Sequence, residues 1–172
     1  ARERGLLDGF DVCVCCEPTD LEICLGNKGV IATSFISHGR SAHSGMAELG
    51  RNAVHDMTVF IQEYPKLPYL KKTNPFFGQS TVNFERIEGH LYIAAVPDKC
   101  RAWLDTRLIP DTPPELVRTE FNGLIKRLKA EHGVDIVESS EPSKWREQLA
   151  ERPACVVTED EPVVLAAQKA HN

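Results

Sequence analysis

A chain of 172 residues, 42% hydrophobic and 26% charged, is long enough for one ordinary domain or for a small domain with pieces of a second. At such a length roughly 70% of the unfolded surface is buried on folding, so a real core is expected. The net charge of −5, with scattered basic residues, argues against a nucleic-acid footprint, and no apolar run approaches the ~20 residues that span a bilayer. A small anionic substrate stays open, because one arginine in a pocket suffices to bind it.

The chain starts Ala1-Arg2-Glu3-Arg4, without an initiator methionine or an apolar signal segment, and a cytoplasmic location is expected. Six cysteines stand at 13, 15, 16, 24, 100 and 155. Their spacing suits neither a zinc knuckle nor a disulfide framework, so buried free thiols in a reducing cytosol are expected.

Phe10 to Leu25 reads as two short strands around Glu17-Pro18-Thr19-Asp20, because proline cannot donate to a ladder. Gly26-Asn27-Lys28-Gly29 is turn chemistry and a candidate domain boundary. Val30 to His38 is β-branched and aromatic enough for a strand. A Gly- and Ser-rich loop then carries His43 toward an amphipathic helix from about Asn52 to Tyr64, with Ala53, Val54, Met57, Phe60, Ile61 and Tyr64 on one face. Pro65 and Pro68 stop it, and Leu67 to Gly78 reads as a loop.

Thr81 to Ile87 makes a strand, and Glu88-Gly89-His90 turns the chain. Lys99 to Leu108 alternates, with Cys100, Ala102, Leu104, Thr106 and Leu108 on one face and Arg101, Trp103, Asp105 and Arg107 on the other. Thr112-Pro113-Pro114-Glu115 starts a helix, with Thr112 as the expected cap and Glu115 completing a capping box. Val117, Phe121, Leu124, Ile125 and Leu128 form its buried stripe, and Gly133 closes it. Val134 to Glu138 is a last short strand, residues 140–153 read as a polar linker, and a short strand and a helix end the chain.

From Gly29 to about Ser139 the order is β-α-β-β-α-β. That order predicts an α+β, ferredoxin-like split βαβ domain, a four-stranded antiparallel sheet with two helices on one face.

Several motifs carry a family resemblance: Glu17-Pro18-Thr19; Gly39-Arg40-Ser41-Ala42-His43-Ser44 with Gly50-Arg51-Asn52-Ala53; and Ile87-Glu88-Gly89 with Val96-Pro97-Asp98. In this order and spacing the chain resembles the central part of the zinc-dependent amidohydrolases and exopeptidases. These include acetylornithine deacetylase, succinyl-diaminopimelate desuccinylase, aminoacylase and carboxypeptidase G.

The resemblance implies that residues 1–28 are the end of a first segment of an α/β catalytic domain. Residues 29–139 would be an inserted lid that forms a homodimer, and residues 140–172 the return into the catalytic domain. It implies zinc as the metal, with cobalt or manganese able to substitute. Glu17 would be a metal ligand, His43 a group reaching the partner's site to polarise the scissile carbonyl, and Arg107 a contact for a substrate carboxylate. Cys16 replaces a glycine common in the family, Ala47 a proline, His90 a glycine, and Ala94 an asparagine that often contacts substrate.

Hydrolysing an unactivated amide needs an acidified water, a base and stabilisation of the oxyanion. A catalytic zinc takes about three protein ligands, and this chain offers Glu17 alone. The expected function is therefore that of a piece of a larger metal-dependent hydrolase, itself inactive, acting on an N-acyl amino acid or peptide substrate without nucleic-acid or membrane partners. Plainer readings stand beside each site residue: a solvated turn for Glu17, an ordinary loop histidine donating to backbone for His43, and a surface salt bridge with Asp105 for Arg107. For the whole chain the rival is a ferredoxin-like dimerisation or ligand-binding module without catalysis.

Overall fold

Strand β1 (Gly29–His38) is followed by helix α1 (Ala53–Glu63), strands β2 (Thr81–Gly89) and β3 (Lys99–Leu108), helix α2 (Pro114–His132) and strand β4 (Asp135–Glu138). The computed structural model describes residues 9, 11–15, 17–89, 93–139 and 151–171. The chain divides into two units, residues 28–155 and residues 1–27 with 156–172, and all six elements belong to the first. Among the described residues no helix is long and apolar enough to cross a membrane.

The four strands make one antiparallel sheet in the order β2–β3–β1–β4. Gly29 lies opposite Leu108 and His38 opposite Lys99, so β1 and β3 pair along their full lengths. A bulge between Phe84 and Arg86 shifts the register of β2 on β3. Successive strand residues point to opposite faces, which sorts each strand chemically. Ile31 and Phe35 of β1 and Cys100, Ala102, Leu104 and Leu108 of β3 turn to one side. There they meet Ala53, Met57 and Phe60 of α1 and Val117, Phe121, Leu124 and Leu128 of α2 in a single core.

Phe35 is the hub. Its ring lies 4.8 Å from Phe60, 5.2 Å from Phe121 and 6.2 Å from Tyr64, centroid to centroid, in tilted and edge-on pairs. Ile125, expected within the buried stripe of α2, is only partly buried at its margin.

Several sequence expectations need correction. Thr112 does not cap α2: the capping position is Pro113, with no side-chain bond, and no capping box forms. The Thr112 hydroxyl is buried and occupied by Ser80 Oγ at 2.7 Å and by the Ile109 carbonyl at 3.1 Å. Gly133 does close the helix, in the left-handed conformation at φ 63°. Residues 67–78 are more ordered than a loop. Two 3-10 turns (Tyr64–Lys66 and Pro68–Lys71) tuck Leu67 and Tyr69 under the core, and Thr73–Asn74 pairs with Gly78–Gln79.

In the other unit, the described part of residues 11–25 forms no strand, since it finds no ladder partner. Asp20 and Leu21 instead take left-handed conformations. Gly26–Asn27 is a short extended pair rather than half of a turn. Helix α3 (Pro162–His171) buries Val164, and Val157 donates its N–H to the Leu25 carbonyl at 2.7 Å.

The cysteines are not uniformly buried. Cys13, Cys15, Cys24 and Cys155 are exposed and Cys100 alone of the described thiols is buried, which raises its pKa. Cys16, His90 and most of the expected linker lie outside the described residues.

Candidate functional site

The loop between β1 and α1 is braced along its whole length. Gly39 donates to the Asp98 carbonyl at 2.8 Å as the chain leaves β1. Arg40 and Arg51 exchange backbone bonds of 2.9 and 2.8 Å. Further along, Val96 N–H donates to the Ala42 carbonyl, Ser44 N–H to that of Ala94, and Ala53 N–H to that of Pro97, at 2.8–2.9 Å. The loop is thereby stitched to itself and to residues 94–98, the lead-in to β3.

That stitching explains the motif residues. A Cβ on Gly39 would stand 2.2 Å from the Arg51 carbonyl oxygen, and one on Gly50 would stand 2.9 Å from that of Arg40. Only glycine permits so close a backbone approach. Asn52 caps α1, its Oδ1 accepting the Val54 N–H at 2.9 Å and the His55 N–H at 3.3 Å. Arg51 holds Asp56 through two bonds of 2.6 and 3.1 Å and donates to the His132 carbonyl at 2.9 Å, which ties the loop to the end of α2.

His43 sits at the crest of this frame, exposed, as the first residue before the 3-10 turn Ser44–Leu49. Its Nδ1 accepts the Gly45 N–H at 3.1 Å, so toward the backbone the ring accepts rather than donates. Met46 and Leu49 on the same turn are 50% and 58% exposed. Ala94, whose carbonyl holds Ser44, has φ 59°, a left-handed conformation that a Cβ disfavours.

Arg107 lies on the sheet face opposite the helices. Its Nε and Nη2 grip Asp105 at 2.6 and 3.1 Å, and Asp105 is nearly buried while Arg107 is half exposed. A salt bridge to Asp105 is thus present, but it engages one edge of the guanidinium and leaves Nη1 without a hydrogen-bond partner among the described residues.

His43 and Arg107 are not brought together. His43 is bridged to Ala95, just ahead of β3, whereas Arg107 is near the far end of that strand. The eight residue-to-residue steps from Lys99 to Arg107 alone span ~27 Å of extended chain.

Glu17 is exposed in the other unit, and its carbonyl accepts the Thr19 N–H at 2.8 Å. Among the described residues no three His, Cys, Asp or Glu side chains gather where a metal ion would sit. Glu17 therefore offers a single carboxylate, and the donors described in this chain do not make up a metal centre by themselves.

Two features of the site were not singled out from the sequence. One is the Gly45 amide on the His43 ring. The other is Trp103, with the Arg86 and Arg101 guanidinium carbons 5.1 and 5.4 Å from its ring centroid. The signal for the second was available, since Arg101 and Trp103 share one face of an alternating strand.

An α+β module with an antiparallel sheet and an exposed histidine on a braced loop is the class that this geometry defines. Residues 25–133 match the family model described as the peptidase dimerisation domain of the M20 group, and the chain belongs to that family. A probable carboxypeptidase of Aspergillus clavatus is 34% identical over 119 residues, covering 64% of this chain and 29% of the relative. Among solved structures, aminopeptidase PepT of Bacillus cereus superposes with a TM-score of 0.58 at 21% identity, over 86% of this chain and 36% of that one. A hydantoinase/carbamoylase-family amidase of Burkholderia vietnamiensis gives 0.63 at 15% identity, over 85% and 32%. The structural likenesses establish a shared fold. The chain spans less than a third of the length of the carboxypeptidase relative.

Proposed function

We propose that this chain is the lid and self-association part of a metal-dependent hydrolase that cleaves an amide bond. The substrate is a small carboxylate-bearing molecule, an N-acyl amino acid or the end of a peptide. The observation that carries the reading is His43, held exposed on a loop fixed by main-chain bonds to residues 94–98 ahead of β3 and by the Arg51 side chain to the end of α2. Such a frame presents an imidazole at low entropic loss when substrate arrives.

The strand order β4–β1–β3–β2, with both helices on one side, supports the ferredoxin-like assignment of residues 29–139. Residues 1–28 and 140–172 are assigned to the flanking catalytic segments, with Glu17 as one ligand of a zinc ion whose other ligands lie elsewhere in the protein. Cobalt or manganese would substitute for zinc. When bound, the metal supplies an acidified water and a Lewis acid.

The residues of this chain act on the substrate itself. His43 donates a hydrogen bond to the scissile carbonyl as its oxygen gains charge. Arg107, oriented by Asp105, binds the substrate carboxylate through its remaining N–H groups. One small substrate does not bridge the length of β3, so the two residues serve different sites. Arg107 acts in the cleft of its own chain, and His43 in the cleft of a partner related by a two-fold axis. β2, the long outer strand of the sheet with Ile87 half exposed, is the edge available for that pairing.

The test is an assay of the full-length protein on a panel of N-acetyl amino acids and dipeptides, before and after chelation, together with its sedimentation at micromolar concentration. Hydrolysis that is lost on chelation and restored by zinc, in a dimeric enzyme, is the expected result. A monomer with full activity rejects the action of His43 across subunits, and no hydrolysis of any panel member rejects the substrate class.

A further inference from the structure

The position of the proton on the His43 ring decides what that ring does, and the loop geometry fixes it. Nδ1 accepts the Gly45 N–H at 3.1 Å, closing the first turn after the histidine. An imidazole nitrogen that accepts carries no hydrogen, so in the neutral ring the proton sits on the other nitrogen. Nε2 meets no hydrogen-bond partner among the described residues.

We infer that the backbone amide of Gly45 holds neutral His43 in the Nε2–H form, so that Gly45 is a positioning residue that makes this histidine a donor. The inference rests on the proposed role of His43 toward a substrate carbonyl and gives that role its chemical sense. A carbonyl oxygen gaining charge needs a donor, and a lone pair on Nε2 would repel it. The same geometry removes His43 as a general base at Nε2, because in the neutral ring that nitrogen already carries the proton.

Glycine suits the position for a second reason. A Cβ at residue 45 would stand 3.3 Å from Nδ1 and 3.6 Å from Cε1 of the ring. The contact at Nδ1 is tighter than ordinary packing, so the imidazole would have to give by a few tenths of an ångström. The glycine keeps the amide bare and the ring seated on it.

Nitrogen-15 NMR on the full-length protein with labelled histidine and glycine tests this without any substrate, in alkaline solution. The expected spectrum has a pyridine-like His43 Nδ1, a pyrrole-like Nε2, and a scalar coupling between Nδ1 and the Gly45 amide nitrogen. His43→Gln assigns the resonances. Gly45→Pro, which lacks the N–H, is expected to abolish the coupling and shift the ring toward the tautomer mixture of an unconstrained histidine side chain. Gly45→Ala keeps the amide and is expected to weaken the coupling while the Nε2–H form still predominates.

A proton on Nδ1 in the unaltered chain overturns the inference. So does an unaltered tautomer ratio in Gly45→Pro. Because the readout needs no turnover, its failure is distinct from a failure of the proposed hydrolase activity, which would show only in the assay of the full-length protein.

Discussion

Arg40 and Arg51 exchange two backbone hydrogen bonds, of 2.9 and 2.8 Å, and so close the loop that carries His43. The contact is made by main chain, not by the guanidinium groups. Those are directed elsewhere, Arg40 to the Leu49 carbonyl and Arg51 to Asp56 and His132. The loop is therefore tied at its neck, and the neck is tied to the ends of both helices. An exposed residue on such a loop keeps its place, as the proposed action of His43 across subunits requires.

The neck depends on two glycines. Gly39→Ala places a Cβ 2.2 Å from backbone that has no flexible end to yield, and Gly50→Ala one at 2.9 Å. Each substitution is expected to lower unfolding free energy by about 1–3 kcal/mol, Gly39→Ala more than Gly50→Ala. Urea denaturation checks this. An unchanged midpoint for Gly39→Ala would show that the neck opens freely.

Removing the His43 imidazole leaves the brace intact, because the loop is held by main-chain bonds. His43→Ala in the full-length enzyme should lower kcat by about 10²–10³, as lost oxyanion donors do, with bound metal unchanged. Steady-state kinetics with metal analysis separates the two effects, and near-normal kcat removes His43 from the chemistry.

Arg107 is expected to act on binding. Lysine cannot grip Asp105 and a substrate carboxylate with two parallel bonds each, so Arg107→Lys should raise KM about tenfold and leave kcat within a factor of a few. Asp105→Asn should raise KM in the same direction by loosening the guanidinium. Equal KM values for Arg107→Lys and the unaltered enzyme would leave the salt bridge as a surface feature.

Ala94 carries strain that glycine would release. At φ 59° its Cβ disfavours the backbone that holds Ser44, so Ala94→Gly is expected to stabilise the fold by about 1 kcal/mol. A thermal or urea midpoint that falls instead would place the Ala94 methyl in a packing role.

The buried tyrosines make stability depend on alkaline pH. Burial raises the pKa of both Tyr64 and Tyr69, whose hydroxyls lie 3.4 Å apart. Below about pH 10, the ordinary tyrosine value, folded and unfolded chains hold these protons alike. Above it the unfolded chain releases protons that the folded chain keeps, so stability falls as pH rises, by up to ~1.4 kcal/mol per pH unit for each tyrosine. Urea midpoints from about pH 8 to about pH 11 should show the decline, with Tyr69→Phe shallower. The same slope in both proteins would assign the decline to other groups.

Much of the architecture was legible from periodicity. The alternation from Cys100 to Leu108 located β3, and the spacing of Val117, Phe121, Leu124 and Leu128 located the buried face of α2, because a strand and a helix each repeat their facing residues at a fixed interval. Chain ends of elements were less legible. Thr112 has the composition of a helix cap, but its hydroxyl is drawn into a turn with Ser80, a residue 32 positions away that no local pattern reveals. The two strands expected between Phe10 and Leu25 failed for a related reason: apolar residues make a strand only where a neighbouring strand accepts them.

The order of residues alone determined which side chains share a face, where glycine and proline break the chain, and that a histidine stands in a loop of small residues. Tertiary structure decided what those residues do to one another. It set the Arg40–Arg51 neck, the grip of Asp105 on Arg107, the Gly45 amide on the His43 ring, and the length of β3 between His43 and Arg107. Contacts of that kind depend on distances between segments remote in the chain, or on the angle at which one short turn meets one ring, and neither is written in a local repeat.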